Sequence, residues 1–333
     1  MKRRMTKRLT IWLVALSLLV AACGSTAATT TTTTQSPPAT IAAPTTTAAP
    51  PTSTTTEPPT AAAFPVTVTV GGAEITLAEK PTRIISLSPT ATETLFAIGA
   101  GDQVVAVDEY STYPEDAPFT DLSGYTPNIE ALASYDPDLI VVAFDPEGMI
   151  TAAFGDNVPV ASQFPATGRE DVLAQIEQLG ALTGHRDEAL ALSGDIAARW
   201  DLADQADAND ASVYIEVDTT FYAASSNSFM GAALTGLGYT NIADAADTNG
   251  GGFPQLSAEA IIQASPDVII VGTDYGTTVA DIAARPGWDS ISALINDQVI
   301  VIPSDISSRW GPRFIDYIET MAALASAPVT VNR

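Results

Sequence analysis

One short segment of this chain occurs twice. Residues 130–142 read EALASYDPDLIVV, and residues 259–271 read EAIIQASPDVIIV. Six of the thirteen aligned positions are identical, and three more exchange one aliphatic residue for another. Each copy opens with a glutamate, reaches a Pro-Asp corner and continues into an uninterrupted apolar run. A chain that carries the same unit twice is predicted to fold as two related halves.

Each copy predicts a helix, a turn and a buried strand. A Pro-Asp corner ends a helix and begins a turn. The continuous apolar runs 139–142 and 268–271 are typical of strands buried on both faces of a parallel sheet. Two such α/β lobes leave a cleft between them, and clefts between domains are favoured ligand sites.

The first 22 residues have the pattern of a signal peptide. A cationic start is followed by the apolar stretch 11–20, which is too short to span a bilayer, and then by Ala21 and Ala22. The next residue, Cys23, is the only cysteine of the chain. The sequence around it resembles the bacterial lipobox, which predicts a lipid on Cys23 and a place on the outer face of the cytoplasmic membrane. An ordinary secreted protein is the alternative, and Arg3-Arg4 leaves the choice between Sec and Tat export open.

A tether is predicted between the leader and the folded part. Residues 24–62 consist almost entirely of Thr, Pro, Ala and Ser, a composition with too little apolar surface to form a core. We therefore assign residues 23–62 to a disordered tether. Extended like polyproline, it would reach roughly 120 Å.

The charge and the pattern of predicted elements limit what the folded part can be. Without the five cationic leader residues, 9 Lys and Arg stand against 39 Asp and Glu, so no basic patch for nucleic acid is expected. The alternation of strand and helix patterns predicts an α/β fold with largely parallel sheets. A helical stretch from about 186 to 206 has no strand of its own and is the candidate connector. The predicted parts are an N-terminal lobe at 63–184, an interlobe helix at 185–208 and a C-terminal lobe at 209–333.

Several segments together resemble one family. PTRIISLSPTATETLFAIG (81–99), EYSTYP (109–114), NIEALASYDPDLIV (128–141), GGFPQLSAEAIIQASPDVIIV (251–271) and RWGPRFIDYIE (309–319) occur in the order typical of substrate-binding proteins for ABC importers of the iron–siderophore and cobalamin class. The resemblance covers residues 64–328. It implies two Rossmann-like lobes bridged by a single long helix, with the ligand cleft between them.

The same resemblance gives the repeated glutamates a role. In this family one glutamate from each lobe pairs with arginines of the membrane permease, and Glu130 and Glu259 occupy those motif positions. Their place near a helix start also favours the helix electrostatically, by about 0.3–1 kcal/mol each. The two roles are compatible.

The resemblance also places the ligand site on the loops that follow the strands. Aromatic side chains, which offer large contact area, account for eight of the thirteen candidates, and Arg309 offers a planar fork for ligand oxygens. Arg313, in contrast, is interpreted as structural. The candidates are Ser88, Thr90, Tyr110, Tyr113, Tyr125, Phe144, Asp145, Phe221, Tyr222, Phe253, Asp305, Arg309 and Trp310.

The expected ligand is a metal chelate. A ferric siderophore comes first, because several positions that are Trp in cobalamin binders are Tyr or Phe here; cobalamin and haem are the alternatives, and the Gly-Pro-Arg segment at 311–313 resembles cobalamin binders. No cofactor is expected, and no resident metal site, because a bare zinc or manganese site usually needs several histidines and the chain has only His185.

Other functions remain as alternatives. A permease-independent surface binding protein would keep the same fold. A secreted hydrolase with paired carboxylates is the enzymatic alternative, although no spacing singles out a pair. His185 stands in a Gly-His-Arg turn between two helices, and a lipid would block Cys23 as a nucleophile. We therefore expect a monomeric binding protein without catalytic residues.

Overall fold

A β-hairpin opens the folded part. The computed structural model describes residues 64–274 and 276–326, which belong to one compact unit. The strands β1 (Val66–Val70) and β2 (Ala73–Leu77) pair antiparallel across two glycines with positive φ. The predicted signal peptide, the lipidation site Cys23 and the tether 23–62 lie outside the described residues.

The first lobe is built on a parallel sheet of five strands. The sheet has the order β5-β4-β3-β6-β7, and every neighbouring pair in it is parallel. Its strand β6 is the one that the apolar run 139–142 predicts. The strand β5 was not predicted because its sequence FTDL carries no apolar run. The strands are β3 (Ile84–Leu87), β4 (Val104–Asp108), β5 (Phe119–Leu122), β6 (Leu139–Val142) and β7 (Val160–Ser162).

The second lobe repeats this arrangement with a four-stranded parallel sheet. Its strands are β8 (Ser212–Glu216), β9 (Thr240–Asn241), β10 (Val268–Gly272) and β11 (Val299–Ile302), in the order β11-β10-β8-β9. In this sheet β10 lies between β8 and β11, just as β6 lies between β3 and β7 in the first. The two copies of the sequence repeat therefore occupy equivalent places in the two sheets.

Helices cover the sheets. The longest, α4 and α5, pack on each other, and α5 also packs on α11. Four short helices, α3, α8, α9 and α10, were not predicted because a turn or two is too short for periodicity to show. The helices are α1 (Pro89–Ala97), α2 (Ile129–Ser134), α3 (Met149–Phe154), α4 (Arg169–Thr183), α5 (Arg186–Ala203), α6 (Phe229–Gly236), α7 (Ala258–Ala264), α8 (Val279–Ala283), α9 (Ser292–Ile295), α10 (Ser304–Ser307) and α11 (Phe314–Ser326).

The repeated Pro-Asp corner ties each helix–strand unit to the strand beside it. Asp138 accepts hydrogen bonds from the backbone N–H groups of Thr82 and Arg83, at 2.7 and 2.9 Å. In the second lobe, Asp267 accepts from the backbone N–H of Ser212 at 2.9 Å. Each aspartate therefore fixes the amino end of a central strand, β3 or β8, against its neighbour.

One apolar core joins the two lobes. Along β6, Leu139 and Val141 face this core while Ile140 and Val142 face a separate core on the other side of the sheet, which explains the uninterrupted apolar run. Along β10, alternate residues such as Ile270 face the same shared core.

The connector α5 contributes to this shared core. Its residues Ile196 and Trp200 lie there beside Phe314 of α11. The predicted fold class, two parallel α/β lobes, is confirmed. Among the helices of the described residues, none is long and apolar enough to cross a membrane.

Removal of one corner carboxylate tests this account. We expect Asp138→Ala to lower the free energy of unfolding by about 1–3 kcal/mol, because two backbone N–H groups at the start of β3 lose their hydrogen bonds to a charged acceptor. Urea denaturation measures the change. Asp121→Ala, which removes an exposed aspartate of β5, is the control and should change stability by less than about 0.5 kcal/mol. Equal stability of the two variants would refute the tie.

Candidate ligand-binding site

A cleft of about 780 Å³ opens at the carboxyl ends of both sheets. The loops after β3, β4, β5 and β6 supply its walls from the first lobe, and the loops after β10 and β11 supply them from the second. Ligands of open α/β sheets bind at this end of the strands. The residues that line the cleft are Leu87, Ser88, Pro89, Thr90, Asp108, Glu109, Tyr110, Thr112, Gly124, Tyr125, Ala143, Phe144, Asp274, Asp305, Ser308, Arg309 and Trp310.

The cleft brings together eight of the thirteen predicted ligand residues. They come from five different loops that are distant in sequence, and only the fold makes them neighbours. Their contact with a ligand stays a prediction. They are Ser88, Thr90, Tyr110, Tyr125, Phe144, Asp305, Arg309 and Trp310.

The other five predicted residues do not line the cleft. Tyr113 lies with its ring 3.9 Å from the guanidinium carbon of Arg313. Asp145 accepts hydrogen bonds from the backbone N–H groups of Ile150 and Thr151, at 2.8 and 3.0 Å, and so binds the first turn of α3. Both side chains therefore have structural partners in this state of the protein.

The remaining three belong to the second lobe. Phe221 stacks on the buried ring of Trp288, with centroids 5.9 Å apart. Arg285, which pairs with the buried Glu216, lies over both rings. Tyr222 and Phe253 are 41% and 50% exposed, respectively, on loops beside α7. Ligand contact by these three residues stays a prediction.

Three aromatic side chains form one wall of the cleft. The ring centroid of Tyr125 lies 5.9 Å from that of Tyr110 and 6.2 Å from that of Phe144. These side chains are 51–67% exposed. Apolar surface held open to water in this way marks a binding site, and aromatic rings gain most when a large flat ligand covers them. We call these three residues the aromatic wall.

A buried carboxylate joins the two lobes behind the cleft. Glu93 of α1 is 3% exposed. Its Oε1 accepts from Nη1 of Arg309 at 2.7 Å and from Nη2 of Arg313 at 2.6 Å, and its Oε2 accepts from Nε of Arg313 at 2.8 Å. Arg313 also donates to Asp305. We call these four residues the charge cluster.

Arg309 has protein partners at both ends of its guanidinium. Besides its bond to Glu93, Nη2 donates to the carbonyl oxygen of Tyr110 at 3.0 Å. The same nitrogen donates to Thr112 Oγ1 at 3.3 Å. These contacts hold the loop after β4, which carries part of the aromatic wall, against the second lobe. The interpretation of Arg313 as a structural residue agrees with its place in the charge cluster.

Asp108 lies at the floor of the cleft and was not among the predicted residues. It is 2% exposed, and its Oδ1 accepts from Ser111 Oγ at 2.6 Å. The hydroxyls of Ser111, Thr92 and Ser86 continue this bond into the lobe as a buried chain. Burial raises the pKa of Asp108 above its ordinary value, against hydrogen bonds from Ser111 and Tyr110 and the charge of Arg309.

Sequence reasoning also missed Glu93. It stands in TATETL, a polar stretch that gave no sign of burial, yet Thr90 to Leu95 are all buried. One signal was available: Arg309 and Arg313 stand four residues apart in a chain with few cations, so an acidic partner was to be expected.

The lone histidine lies away from the cleft. His185 stands at the start of α5, where its Nε2 lies 3.2 Å from Lys80 Nζ and 2.9 Å from Gln103 Nε2. Burial and the charge of Lys80 lower the pKa of His185. Within residues 64–274 and 276–326, no three His, Cys, Asp or Glu side chains are grouped as a metal site.

Fold and cleft together define a bilobal binding protein. The model of the periplasmic binding protein family matches residues 84–306. The chain belongs to the periplasmic binding protein family, whose members are substrate-binding components of ABC importers and not enzymes. This confirms the family that the sequence motifs indicated.

Two relatives illustrate the similarity. The chain is 30% identical to a cobalamin-binding protein of Halobacterium salinarum, over 80% of this chain and 74% of that protein. It is 29% identical to an uncharacterized ABC transporter substrate-binding lipoprotein, YvrC, of Bacillus subtilis, over 78% of this chain and 85% of the relative.

Solved structures share the fold. The periplasmic vitamin B12 binding protein BtuF of Vibrio cholerae matches with a TM-score of 0.63 and 24% identity, over 74% of this chain and 98% of that one. A possible iron-binding protein of Staphylococcus epidermidis matches with a TM-score of 0.62 and 25% identity, over 75% of this chain and all of that one.

The charge cluster yields a stability prediction. Glu93→Gln should lower the free energy of unfolding by about 3–5 kcal/mol, because it leaves two arginines, both mostly buried, without their shared carboxylate. Guanidinium chloride denaturation at neutral pH measures the change. Glu109→Gln, at a cleft carboxylate in no ion pair among the described residues, is the matched control and should shift stability by less than about 0.5 kcal/mol. A loss below about 1 kcal/mol for Glu93→Gln would mean that Asp305 replaces it.

Proposed function

We propose that this protein captures a corrinoid metal chelate in its cleft and delivers it to the permease of an ABC importer. The observation that carries the proposal is the cleft itself, with its exposed aromatic wall at the carboxyl ends of both sheets. A volume of about 780 Å³ falls within the range of roughly 300–1,000 Å³ that is usual for pockets that hold small molecules. The metal arrives inside its chelator.

The relatives support a corrinoid as the first candidate cargo. Proteins from Halobacterium, Pectobacterium and Vibrio that are named for cobalamin or vitamin B12 are 26–30% identical to this chain. A corrinoid has a wide ring rimmed with amides, which suits both the aromatic wall and the polar floor of the cleft.

A ferric siderophore, which the sequence alone placed first, is the second candidate. The similarity to a possible iron-binding protein of Staphylococcus epidermidis, at 25% identity, favours it. Such a chelate is also bulky and would also cover the aromatic wall.

The place of action follows from the N-terminal sequence. A lipid on Cys23 and a tether over residues 23–62 would hold the folded part at the outer face of the cytoplasmic membrane, within reach of a permease. The name of the Bacillus relative, a lipoprotein, supports this assignment.

Glu130 and Glu259 are the proposed contacts with the permease. They are the second residues of α2 and α7, after the side-chain caps Asn128 and Ser257. Because helix and strand run in opposite directions in each unit, both helices begin at the cleft end of their lobe. Both glutamates are exposed, and neither carboxylate has a hydrogen bond or ion pair among the described residues.

Calorimetry tests the cargo. The segment 56–333 contains every described core residue and is the protein to use. We expect it to bind cyanocobalamin with a Kd of about 1 μM or less, as binding proteins of this kind require. Tyr125→Ala with Phe144→Ala should weaken binding at least about tenfold, because two stacking surfaces are lost.

The control is Phe119→Ala, an aromatic residue that is 61% exposed outside the cleft. It should leave the Kd of cyanocobalamin unchanged. Binding of ferrioxamine without binding of cyanocobalamin would replace the first candidate by the second. If neither chelate binds, the proposed function is contradicted.

Uptake tests the docking role. In cells, Glu130→Ala with Glu259→Ala should reduce uptake of the cargo about tenfold or more, because charged contacts with the permease are lost, while the Kd for the cargo stays the same. Glu74→Ala with Glu79→Ala, two exposed glutamates of the hairpin region, is the control. Unchanged uptake in the first variant would favour a permease-independent protein.

A further inference from the structure

The cleft is lined by more negative than positive groups. Four carboxylate side chains border it, at Asp108, Glu109, Asp274 and Asp305. Among the described lining residues, Arg309 is the one cation. The balance between these groups decides which ligands are attracted.

The ion pairs of the charge cluster neutralise its two arginines. Arg309 pairs with Glu93 at 2.7 Å, and Arg313 pairs with both Glu93 and Asp305. Two guanidinium groups thus face two carboxylates, and the cluster is neutral. Its arginines are also largely enclosed, with side chains 14% and 21% exposed. Little positive potential reaches the cleft.

The other three carboxylates of the cleft form no ion pair among the described residues, although the charge of Arg309 acts on one of them, Asp108. Within the described part of the chain, Asp108, Glu109 and Asp274 take part in no ion pair. Asp108 lies enclosed at the floor, where low polarity strengthens its field, and the other two are exposed at the sides. A ligand that enters the cleft therefore meets a negative potential on one side and an aromatic wall on the other.

From this imbalance we propose that the cleft selects its ligand by charge, admitting neutral or cationic chelates and disfavouring anionic ones. The inference rests on the proposed function, since it concerns the same cleft, and it narrows the chemical class of the cargo. Amide-rimmed corrinoids and hydroxamate chelates meet this charge criterion. Tricatecholate chelates, carboxylate chelates and haem with its two propionates are anionic and do not.

The physical reason is the cost of placing like charges together. An anionic group in the cleft approaches carboxylates in surroundings where water screens poorly, whereas an amide in the same position donates hydrogen bonds to them. Salt screens the charges of the exposed Glu109 and Asp274 within a Debye length, but it screens the charge of the enclosed Asp108 less.

A matched pair of ligands tests the proposal. Cyanocobalamin and its monocarboxylic acids, in which one propionamide is hydrolysed, differ by a single charge. At low salt the segment 56–333 should bind the acids at least about tenfold more weakly than cyanocobalamin. The ratio of the two Kd values should decrease at high salt. Asp108→Asn with Glu109→Gln and Asp274→Asn should reduce the ratio to about twofold or less.

A second variant, without the buried substitution, distinguishes an effect of charge from an effect of misfolding. Asp108→Asn retains an acceptor for Ser111 but alters a buried group. Glu109→Gln with Asp274→Asn changes exposed side chains alone, and it should reduce the ratio by an intermediate factor. Circular dichroism confirms that both variants are folded before the Kd values are compared.

A measurement without any cargo keeps the test independent of the proposed function. In the segment 56–333, Trp200 and Trp288 are 7% and 1% exposed, whereas Trp310 lines the cleft. Iodide should therefore quench the emission of Trp310 several-fold more strongly in the triple amide variant than in the wild type. Caesium should quench it less, and neutral acrylamide equally. Trp310→Phe should abolish these differences.

The two proposals fail in different ways. If cyanocobalamin does not bind but iodide and caesium behave as expected, the corrinoid is wrong and the charge selection stands. If cyanocobalamin and its acids bind equally well, and iodide quenching does not respond to the amide substitutions, the charge selection is overturned and the cargo stands.

Discussion

The shared carboxylate of Glu93 is the interaction on which the cleft depends. It comes from α1 of the first lobe and holds two arginines that follow the last strand of the second. Through Arg309 it fixes the loop after β4, and with it part of the aromatic wall. Because a buried carboxylate with two cationic partners is stable only when all are present, these loops are held in one arrangement. Trp310, which donates to Gln175 of α4 at 3.0 Å, adds a second tie between the halves.

The shared apolar core limits how far the lobes can move. Residues of both sheets, α5 and α11 pack in one continuous cluster, and such a core is closely packed and resists shear. A cleft built on this base is largely preformed. Selectivity then has to come from the shape and charge of the walls, and the neutral charge cluster leaves the unpaired carboxylates to set the potential.

The repeat explains why so much of the fold was predictable. The units around Glu130 and Glu259 gave the helix, the corner and the strand in both lobes, and the structure places β6 and β10 in equivalent positions. β5 and α3 escaped prediction because FTDL is mostly exposed and MITAAF is short, so neither shows a clear period. The role of Asp138 as a tie to β3 was also hidden, since it depends on a strand 55 residues away in sequence.

Local patterns in the sequence by themselves determined the two α/β halves and the positions of most strands, because periodicity and turn chemistry act over a few neighbouring residues. The candidate site residues came from the resemblance to a family and not from these patterns. Only the tertiary structure decided which loops meet. It brought Tyr125 and Trp310 to one cleft but left Asp145 hydrogen-bonded to the first turn of α3. It also buried Glu93 between two arginines more than two hundred residues away. Contacts of that range follow from how the sheets stack, and no local pattern records them.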